Sequence, residues 1–318
     1  MAETFAGLEV QRNVPMRAYT TLKAGGAAER FVIARSTDQL AAVAEEAHRT
    51  GTPLLVLGWG SNMLPADEGV SGLVALNLAT RLVVARTGEI LADTGCMFQD
   101  VWLKSAQAGL TGLEFAVGIP GTLGGALVSN AGAYRSCISD HLEALEVVWN
   151  GERKWIEPQE MGFSYRDSIL RSITPPKLVV LRVRLKLQPG NSKESYDLAR
   201  EFQRQRIGKQ PPQASAGSFF KNVNDRELAE SLPGLPWALK EAGVVPAGFL
   251  IEAAGLKGYR FGGAAQGEKH ANFVLNLGAA PASELRALAQ HTKAIVQEKF
   301  GVELEEEVLY VGKWPKPA

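Results

Sequence analysis

The chain has 318 residues, 34 Lys and Arg against 34 Asp and Glu, and 46% hydrophobic residues. That length supports a sizeable core and about two domains. The balanced charge excludes a general basic footprint for nucleic acid or for an anionic membrane surface, so any bound anion must meet locally placed cations. Cys96 and Cys137 lie in apolar or glycine-rich runs without metal-ligand spacing, which favours reduced, inert thiols in a cytosolic protein. Residues 1–10 hold Glu3 and Glu9 but no basic start or apolar run of signal length, and no stretch reaches ~18 uninterrupted apolar residues. The expectation is a soluble cytoplasmic protein with no membrane segment and no nucleic-acid partner.

Phe31 to Ala34 is a short apolar run. Ser36-Thr37-Asp38-Gln39 then has the form of a helix start whose Ser and Gln fit a capping box. Leu40, Val43, Ala44 and Ala47 share one helical face, and Gly51 follows as a C-cap. Pro53 to Leu57 reads as a buried strand that delivers the chain into Gly58-Trp59-Gly60-Ser61-Asn62. Leu82 to Ala85 is a second strand start, Phe98 to Gly109 a helix, and a glycine-rich passage runs from Gly112 to Gly132. Leu145 to Trp149 and Glu152 to Ile156 flank Asn150-Gly151, a type I′ hairpin signal. Leu181 to Leu187 alternates apolar residues with Arg182, Arg184 and Lys186, as in a strand wet on one face. Pro189-Gly190 breaks the chain, a charged helix runs to about Arg206, and Pro211-Pro212 breaks it again, marking a domain boundary. Beyond it come a strand over Ala271–Leu277, a helix over Ser283–Phe300 with Leu285, Leu288, Val296 and Phe300 inward, and a final strand over Val302–Val311.

The loop Gly58-Trp59-Gly60-Ser61-Asn62 after an apolar strand can present backbone N–H groups to an anion, although a tight structural turn reads it equally well. It lacks the Gly-Lys-Ser/Thr ending of a P-loop and the spacing of a dinucleotide fingerprint. The run Gly118-Ile119-Pro120-Gly121-Thr122-Leu123-Gly124-Gly125 followed by Asn130-Ala131-Gly132-Ala133-Tyr134 offers small side chains against which a planar ligand can lie, or a glycine-rich bend in a crowded core. Two such loops in one half of the chain favour a large phosphorylated cofactor.

Four further places could carry chemistry. Ala216-Gly217-Ser218-Phe219-Phe220-Lys221-Asn222 sets a hydroxyl in a tight turn beside bulky aromatics, with a cation and an amide for an anionic, polyhydroxylated partner. Simple strand packing explains it as well. Arg166, in Tyr165-Arg166-Asp167-Ser168, is either paired to Asp167 or a clamp for a carboxylate. Glu303, Glu305 and Glu307 share one face of the expected last strand, with Glu306 on the other, and Glu307 is the one carried inward toward proton transfer. His270 precedes a strand without partners at metal spacing, so no metal is expected. Ser218 lacks the G-x-S-x-G elbow of hydrolases.

Taken in order, Gly58-x-Gly60-Ser61-Asn62, the Gly118 to Gly125 run, Tyr165-Arg166-Asp167-Ser168, Ala216 to Asn222 and Glu268-Lys269-His270-Ala271-Asn272 resemble the UDP-N-acetylenolpyruvoylglucosamine reductase family over nearly the whole chain. The resemblance implies an α+β fold: a two-part FAD-binding domain of the vanillyl-alcohol-oxidase/PCMH-like type, with subdomains at 1–80 and 81–210, and a smaller α+β substrate domain at 211–318. It implies FAD held by Gly58, Gly60, Ser61, Asn62, Ile119, Pro120, Gly121, Thr122, Gly124, Gly125 and Gly132, with NADPH as hydride donor. It further implies Arg166, Ser218 and Glu307 as catalytic residues, Ser218 as proton donor to substrate C2, and Tyr134, Lys209, Lys221, Asn222 and His270 as contacts to a nucleotide-sugar. A monomer is expected. The family has forms with and without an insertion in the third domain; the glycine-run wording fits the shorter form, while residues 224–248 lengthen the stretch after Ser218. An oxygen-using flavin oxidase on a similar domain, or a non-catalytic nucleotide-sugar or flavin binder, are the alternative readings.

Overall fold

The computed structural model describes residues 3–172 and 178–315. The chain divides into two units. The first contains the residues up to Pro15, Ala27–Gly60 and Val70–Gly208; the second contains Met16–Gly26, Ser61–Gly69 and the chain from Lys209 onward.

In the first unit, strands β1 (Gln11–Pro15), β2 (Ala27–Ala34), β3 (Leu54–Leu57) and β4 (Val70–Asn77) form a sheet of order β1-β2-β4-β3, with β2 and β3 both parallel to β4. Helix α1 (Thr37–Thr50) makes the crossover from β2 to β3. Its start is capped by Ser36, whose Oγ accepts from Gln39 N at 3.2 Å. The reciprocal bond is displaced by one residue: Gln39 Oε1 accepts from Arg35 N at 2.7 Å rather than from Ser36 N. The expected inward face is buried, and Leu40, Val43, Ala44 and Ala47 pack with Val148, Val179 and Leu181 of a second sheet. Burying each large aliphatic side chain there contributes about 1.5–3 kcal/mol.

That second sheet is antiparallel and comprises β5 (Leu82–Val84), β6 (Glu89–Asp93), β7 (Leu142–Trp149), β8 (Glu152–Ile156) and β9 (Leu178–Lys186), in the order β8-β7-β9-β6-β5. Asn150 and Gly151 have φ of 52° and 80°, the backbone a type I′ turn needs between β7 and β8. The alternation read over 181–187 holds, with Leu181, Val183 and Leu185 fully buried, while Leu178 to Val180 are also buried. Helices α2 (Phe98–Gln107), α3 (Leu123–Val128) and α4 (Ser192–Ile207) contribute Phe98, Trp102, Leu127 and Ala199 to the same core cluster as the sheet residues Val147 and Val183.

In the second unit, β10 (Ala214–Ser218), β11 (Arg260–Phe261), β12 (Ala264–Gln266) and β13 (Phe273–Asn276) form an antiparallel sheet of order β10-β13-β12-β11. Residues 224–248 fold into two short helices, α5 (Arg226–Ser231) and α6 (Trp237–Ala242), whose neck is closed by pairing of Val223–Asn224 with Val244–Val245. Helix α7 (Ala247–Ala253) follows, and α8 (Ala282–Phe300) buries Leu285, Leu288 and Val296, with Phe300 partly buried, as expected.

The last strand departs from expectation. Only Leu309–Val311 is a strand, paired in parallel with Met63–Pro65. Between residues 301 and 308 the acidic run makes one isolated bridge, Phe220 with Glu306. Burial there does not alternate, since Leu304 and Val308 are the buried positions. Acidic side chains have poor strand propensity, and the regular ladder begins only where Leu309-Tyr310-Val311 finds an apolar partner. Glu303 and Glu305 are exposed, and Glu306 and Glu307 are both half-buried, so the one-face assignment does not hold. Glu306 turns to Lys293, 2.9 Å away. Among the described residues, no helix is long and apolar enough to cross a membrane.

Candidate functional site

In the first unit both glycine loops are built on strand ends. Strand β3 delivers Leu57 into Gly58, and a Cβ added at Gly58 would collide with the Thr122 hydroxyl. The first loop therefore sits directly on the second, and only glycine allows that approach. Thr122 is buried and caps α3, its Oγ1 accepting from Gly125 N at 3.3 Å. Backbone bonds Phe98 N to Gly121 O (3.0 Å), Leu123 N to Cys96 O (2.8 Å) and Gly124 N to Thr94 O (2.8 Å) hold the loop along residues 94–98. Gly125 is exposed, and an added Cβ there meets only Thr122 Oγ1, at 3.6 Å. Ile119 is half-buried against the core and Pro120 is exposed. A surface of uncovered backbone between close-packed glycines fits a planar ring system with a phosphate tail. The neighbouring Cys96 thiol is pushed up to about 11 by burial and by Asp93, which favours the protonated thiol near neutral pH.

Three non-glycine residues with positive φ lie in the segments at 130–134 and 164–168: Asn130 at 40°, Tyr134 at 54° and Arg166 at 55°. Such conformations cost about 1 kcal/mol or more each and persist where the surroundings impose them, often at functional sites. The two segments are fastened together. Arg166 Nη2 donates to Gly132 O at 2.6 Å, Asn130 Nδ2 donates to Ser164 O at 3.1 Å, and Ser168 Oγ donates to Val128 O at 2.8 Å. Asp167 Oδ1 lies 3.7 Å from Arg171 Nε. Tyr134 is stacked on Phe202 of α4, ring centroids 3.6 Å apart.

Arg206, near the end of α4, escaped the sequence reading. Its guanidinium lies 5.8 Å from the Tyr134 ring, and its Nε is buried without a hydrogen-bond partner. Burial pulls its pKa below the usual arginine value and Arg166 adds to this, against Tyr134. A guanidinium whose buried Nε has no hydrogen-bond partner among the described residues, with a second arginine acting on it, could hold an anion. The signal was present in Arg204-Gln205-Arg206, but a basic run at a helix C-terminus reads equally as a solvated end.

In the second unit the register of β10 against β13 slips between Ser215 and Ser218, and Gly217 takes a φ of 78° within the slip. This bulge sets Ser218, half-buried, directly before the fully buried Phe219 and Phe220. The aromatic pair is clasped from both edges. On one side Phe219 N donates to Asn272 O at 2.7 Å, while the Asn272 amide accepts from Phe220 N (2.9 Å) and donates to Phe220 O (2.8 Å). On the other, Glu307 N donates to Phe219 O at 2.8 Å and Lys221 N to Glu305 O at 2.9 Å. Asn62 Nδ2 donates to Glu307 O at 3.1 Å, so the end of the first glycine loop, Ser61 and Asn62, lies in this unit and touches the Glu307 backbone. Ser218, Asn62 and Glu307 are thereby gathered around one short stretch of main chain.

Lys221 is 8% exposed, and its ammonium is 2.5 Å from Glu305. Asn222 Oδ1 accepts from Ala247 N at 3.3 Å. His270 Nδ1 accepts from Asn272 N at 3.2 Å, which puts the proton on Nε2 in the neutral ring. Burial, and after it the charge of Lys209, lowers its pKa, so the neutral form dominates near pH 7. Lys209 itself is exposed. Among the described residues, no three His, Cys, Asp or Glu side chains gather as a metal site requires.

Comparison with known proteins follows the same division. The sequence model described as FAD binding domain matches residues 28–155. The model described as UDP-N-acetylenolpyruvoylglucosamine reductase, C-terminal domain, matches residues 210–311. The UDP-N-acetylenolpyruvoylglucosamine reductase of Caldicellulosiruptor saccharolyticus is 39% identical over 316 residues, covering 98% of this chain and 94% of the relative. That of Rubrobacter xylanophilus is 38% identical over 300 residues, covering 94% of each chain. The crystal structure of UDP-N-acetylenolpyruvylglucosamine reductase from Thermus caldophilus superposes with a TM-score of 0.76 at 35% identity, covering 97% of this chain and 100% of the other.

Proposed function

The chain belongs to the UDP-N-acetylenolpyruvoylglucosamine reductase family and is a flavin-dependent oxidoreductase with an FAD-binding domain, and we propose that it reduces UDP-N-acetylglucosamine enolpyruvate to UDP-N-acetylmuramate with NADPH, in peptidoglycan precursor synthesis. The observation that carries the mechanism is Ser218, a half-buried hydroxyl on a bulge beside two fully buried phenylalanines, with the Glu307 backbone latched to the same pair.

Gly58, Gly60, Ile119, Pro120, Gly121, Thr122, Gly124, Gly125 and Gly132, with Ser61 and Asn62, are the residues that would hold FAD. When bound and reduced by NADPH, FAD supplies a hydride from N5 to C3 of the enolpyruvyl group. The carbanionic charge left at C2 spreads into the adjacent carboxylate, and the protein's task is to stabilise that charge and then quench it. Arg166 offers a guanidinium to the carboxylate, and Glu307 assists there in a protonated or proton-sharing state. Ser218 gives its proton to C2, which completes the saturated lactyl ether. A serine hydroxyl is a weak acid, so this step needs the strong base that hydride addition creates, and Phe219 and Phe220 keep competing water away.

Lys209, Lys221, Asn222, His270 and Tyr134 bind the phosphates, the uridine and the carboxylate in this reading. The Lys221 ammonium, almost fully buried and 2.5 Å from Glu305, is the cation this reading sets beside the serine alkoxide. Arg206 joins this set as a contact to the substrate's negative charge.

The test is Ser218→Ala under anaerobic conditions. NADPH should still bleach the flavin absorbance, while reoxidation by the enolpyruvyl nucleotide falls by several orders of magnitude. Unchanged reoxidation would remove Ser218 from the chemistry, and a wild-type protein unable to take up FAD would defeat the reading as a whole.

A further inference from the structure

We infer that Asn77 and Thr94, a buried side-chain pair joining the two sheets of the first unit, are positioning residues that set the spacing of the two glycine loops and thereby the affinity for FAD. The inference rests on the assignment of those loops to the flavin.

Asn77 is the last residue of β4, and it follows Leu76, which is in register with Leu57 of β3, the residue before Gly58. Thr94 follows the last residue of β6, in the other sheet. Both are almost fully buried, at 4% and 1% exposure. Asn77 Nδ2 donates to Thr94 Oγ1 at 2.9 Å, and Asn77 Oδ1 accepts from Ala79 N at 3.0 Å. The single Thr94 hydroxyl proton is within donating distance of Val180 O and Leu181 O of β9, at 2.9 and 3.0 Å. Its main chain continues the relay: Thr94 N donates to Leu181 O at 3.0 Å, and Thr94 O accepts from Gly124 N at 2.8 Å.

One threonine therefore carries three loads. Its hydroxyl ties the five-stranded sheet to the end of β4, and its carbonyl carries the second glycine loop. Its Cβ also fills the space beside Gly124, where an added Cβ would lie 3.1 Å away. The same loop then bears on Gly58 through Thr122. A change at the Asn77–Thr94 bond is transmitted through Thr94 O to Gly124, and through Thr122 to Gly58, without altering any group that faces the ligand surface. Valine at position 94 has the shape of threonine but no hydroxyl. It would leave Asn77 Nδ2 buried without an acceptor, forcing Asn77 or the strand end to move.

The experiment measures the FAD dissociation constant of apoprotein by flavin fluorescence quenching, alongside the thermal midpoint of the same apoprotein, for wild type, Thr94→Val, Thr94→Ser and Asn77→Ala. Thr94→Val is expected to weaken FAD binding roughly ten- to hundredfold, on the scale of one buried hydrogen bond lost. Thr94→Ser should restore it to within about threefold of wild type, because the hydroxyl returns. Asn77→Ala supplies the same reading if Thr94→Val fails to fold, since it leaves the Thr94 bonds to β9 in place. A lowered midpoint with unchanged FAD affinity in the folded variants would reduce the pair to ordinary core structure and overturn the inference, as would failure of Thr94→Ser to recover binding. If wild-type apoprotein itself takes up no FAD, the flavin assignment falls first, so the two failures are distinguishable.

Discussion

Asn272→Ala tests the clasp around the aromatic pair. The Asn272 side chain behaves as a peptide unit, accepting from Phe220 N at 2.9 Å and donating to Phe220 O at 2.8 Å, in surroundings where Asn272 is 2% and Phe220 1% exposed. The partners on the opposite edge, Glu305 and Glu307, bond to the main chain of Lys221 and Phe219, so they do not serve Phe220 itself. Alanine therefore leaves one buried N–H and one buried C=O without partners. Each unsatisfied group costs about 1–3 kcal/mol, for an expected loss of about 2–6 kcal/mol. That is a large fraction of the ~5–15 kcal/mol by which a typical protein is stable. Urea unfolding followed by circular dichroism should show a lower midpoint with an unchanged slope. A loss below about 1 kcal/mol would mean that Phe220 finds other partners and that Asn272 is not the latch.

Two further outcomes are expected. His270 has a pKa lowered by burial and by Lys209, so its contribution to stability is complete above the unfolded value of about 6.5 and is lost as pH falls below it, because the unfolded chain takes up a proton that the folded chain resists. His270→Gln should therefore lose less stability than wild type between about pH 7.5 and pH 5.5 in urea titrations; equal declines would refute the assignment. Arg206→Gln removes a part-buried cation whose Nε has no hydrogen-bond partner among the described residues, and it should raise KM for the anionic substrate roughly ten- to hundredfold while leaving kcat and the unfolding midpoint nearly unchanged. An unchanged KM would return Arg206 to a packing role.

Elements governed by local rules were legible in the sequence. The capped helix after Ser36, the Asn150-Gly151 hairpin, the alternating strand through Arg182 and Arg184 and the apolar face of Ala282–Phe300 follow from nearest-neighbour chemistry and periodicity. The final strand was misjudged because apolar residues beyond the acidic run suggested a continuous ladder. The chain pairs regularly only at Leu309–Val311, where Met63–Pro65 offers an edge. Residues 224–248 were equally opaque, since α5 and α6 are a single turn or two each and depend on packing rather than on a long apolar period.

Within the candidate site the division is similar. The glycine runs, Tyr165-Arg166-Asp167-Ser168 and the Gly217-Ser218 turn stood out because unusual backbone needs unusual residues, and Gly217 does take positive φ. Chain order alone does not reveal that Ser61 and Asn62 part from Gly58 and Gly60 to join the unit of Glu307, or that Lys221 spends its charge on Glu305. Arg206, Asn272 and the Asn77–Thr94 pair acquire meaning only from partners between 17 and 91 residues away, such as Phe115 for Arg206, Phe220 for Asn272 and Val180 for Thr94. Propensity and turn chemistry act between neighbours and are written in the sequence by itself. Desolvation and hydrogen-bond satisfaction act between whatever the fold brings together, and only the tertiary structure decides them.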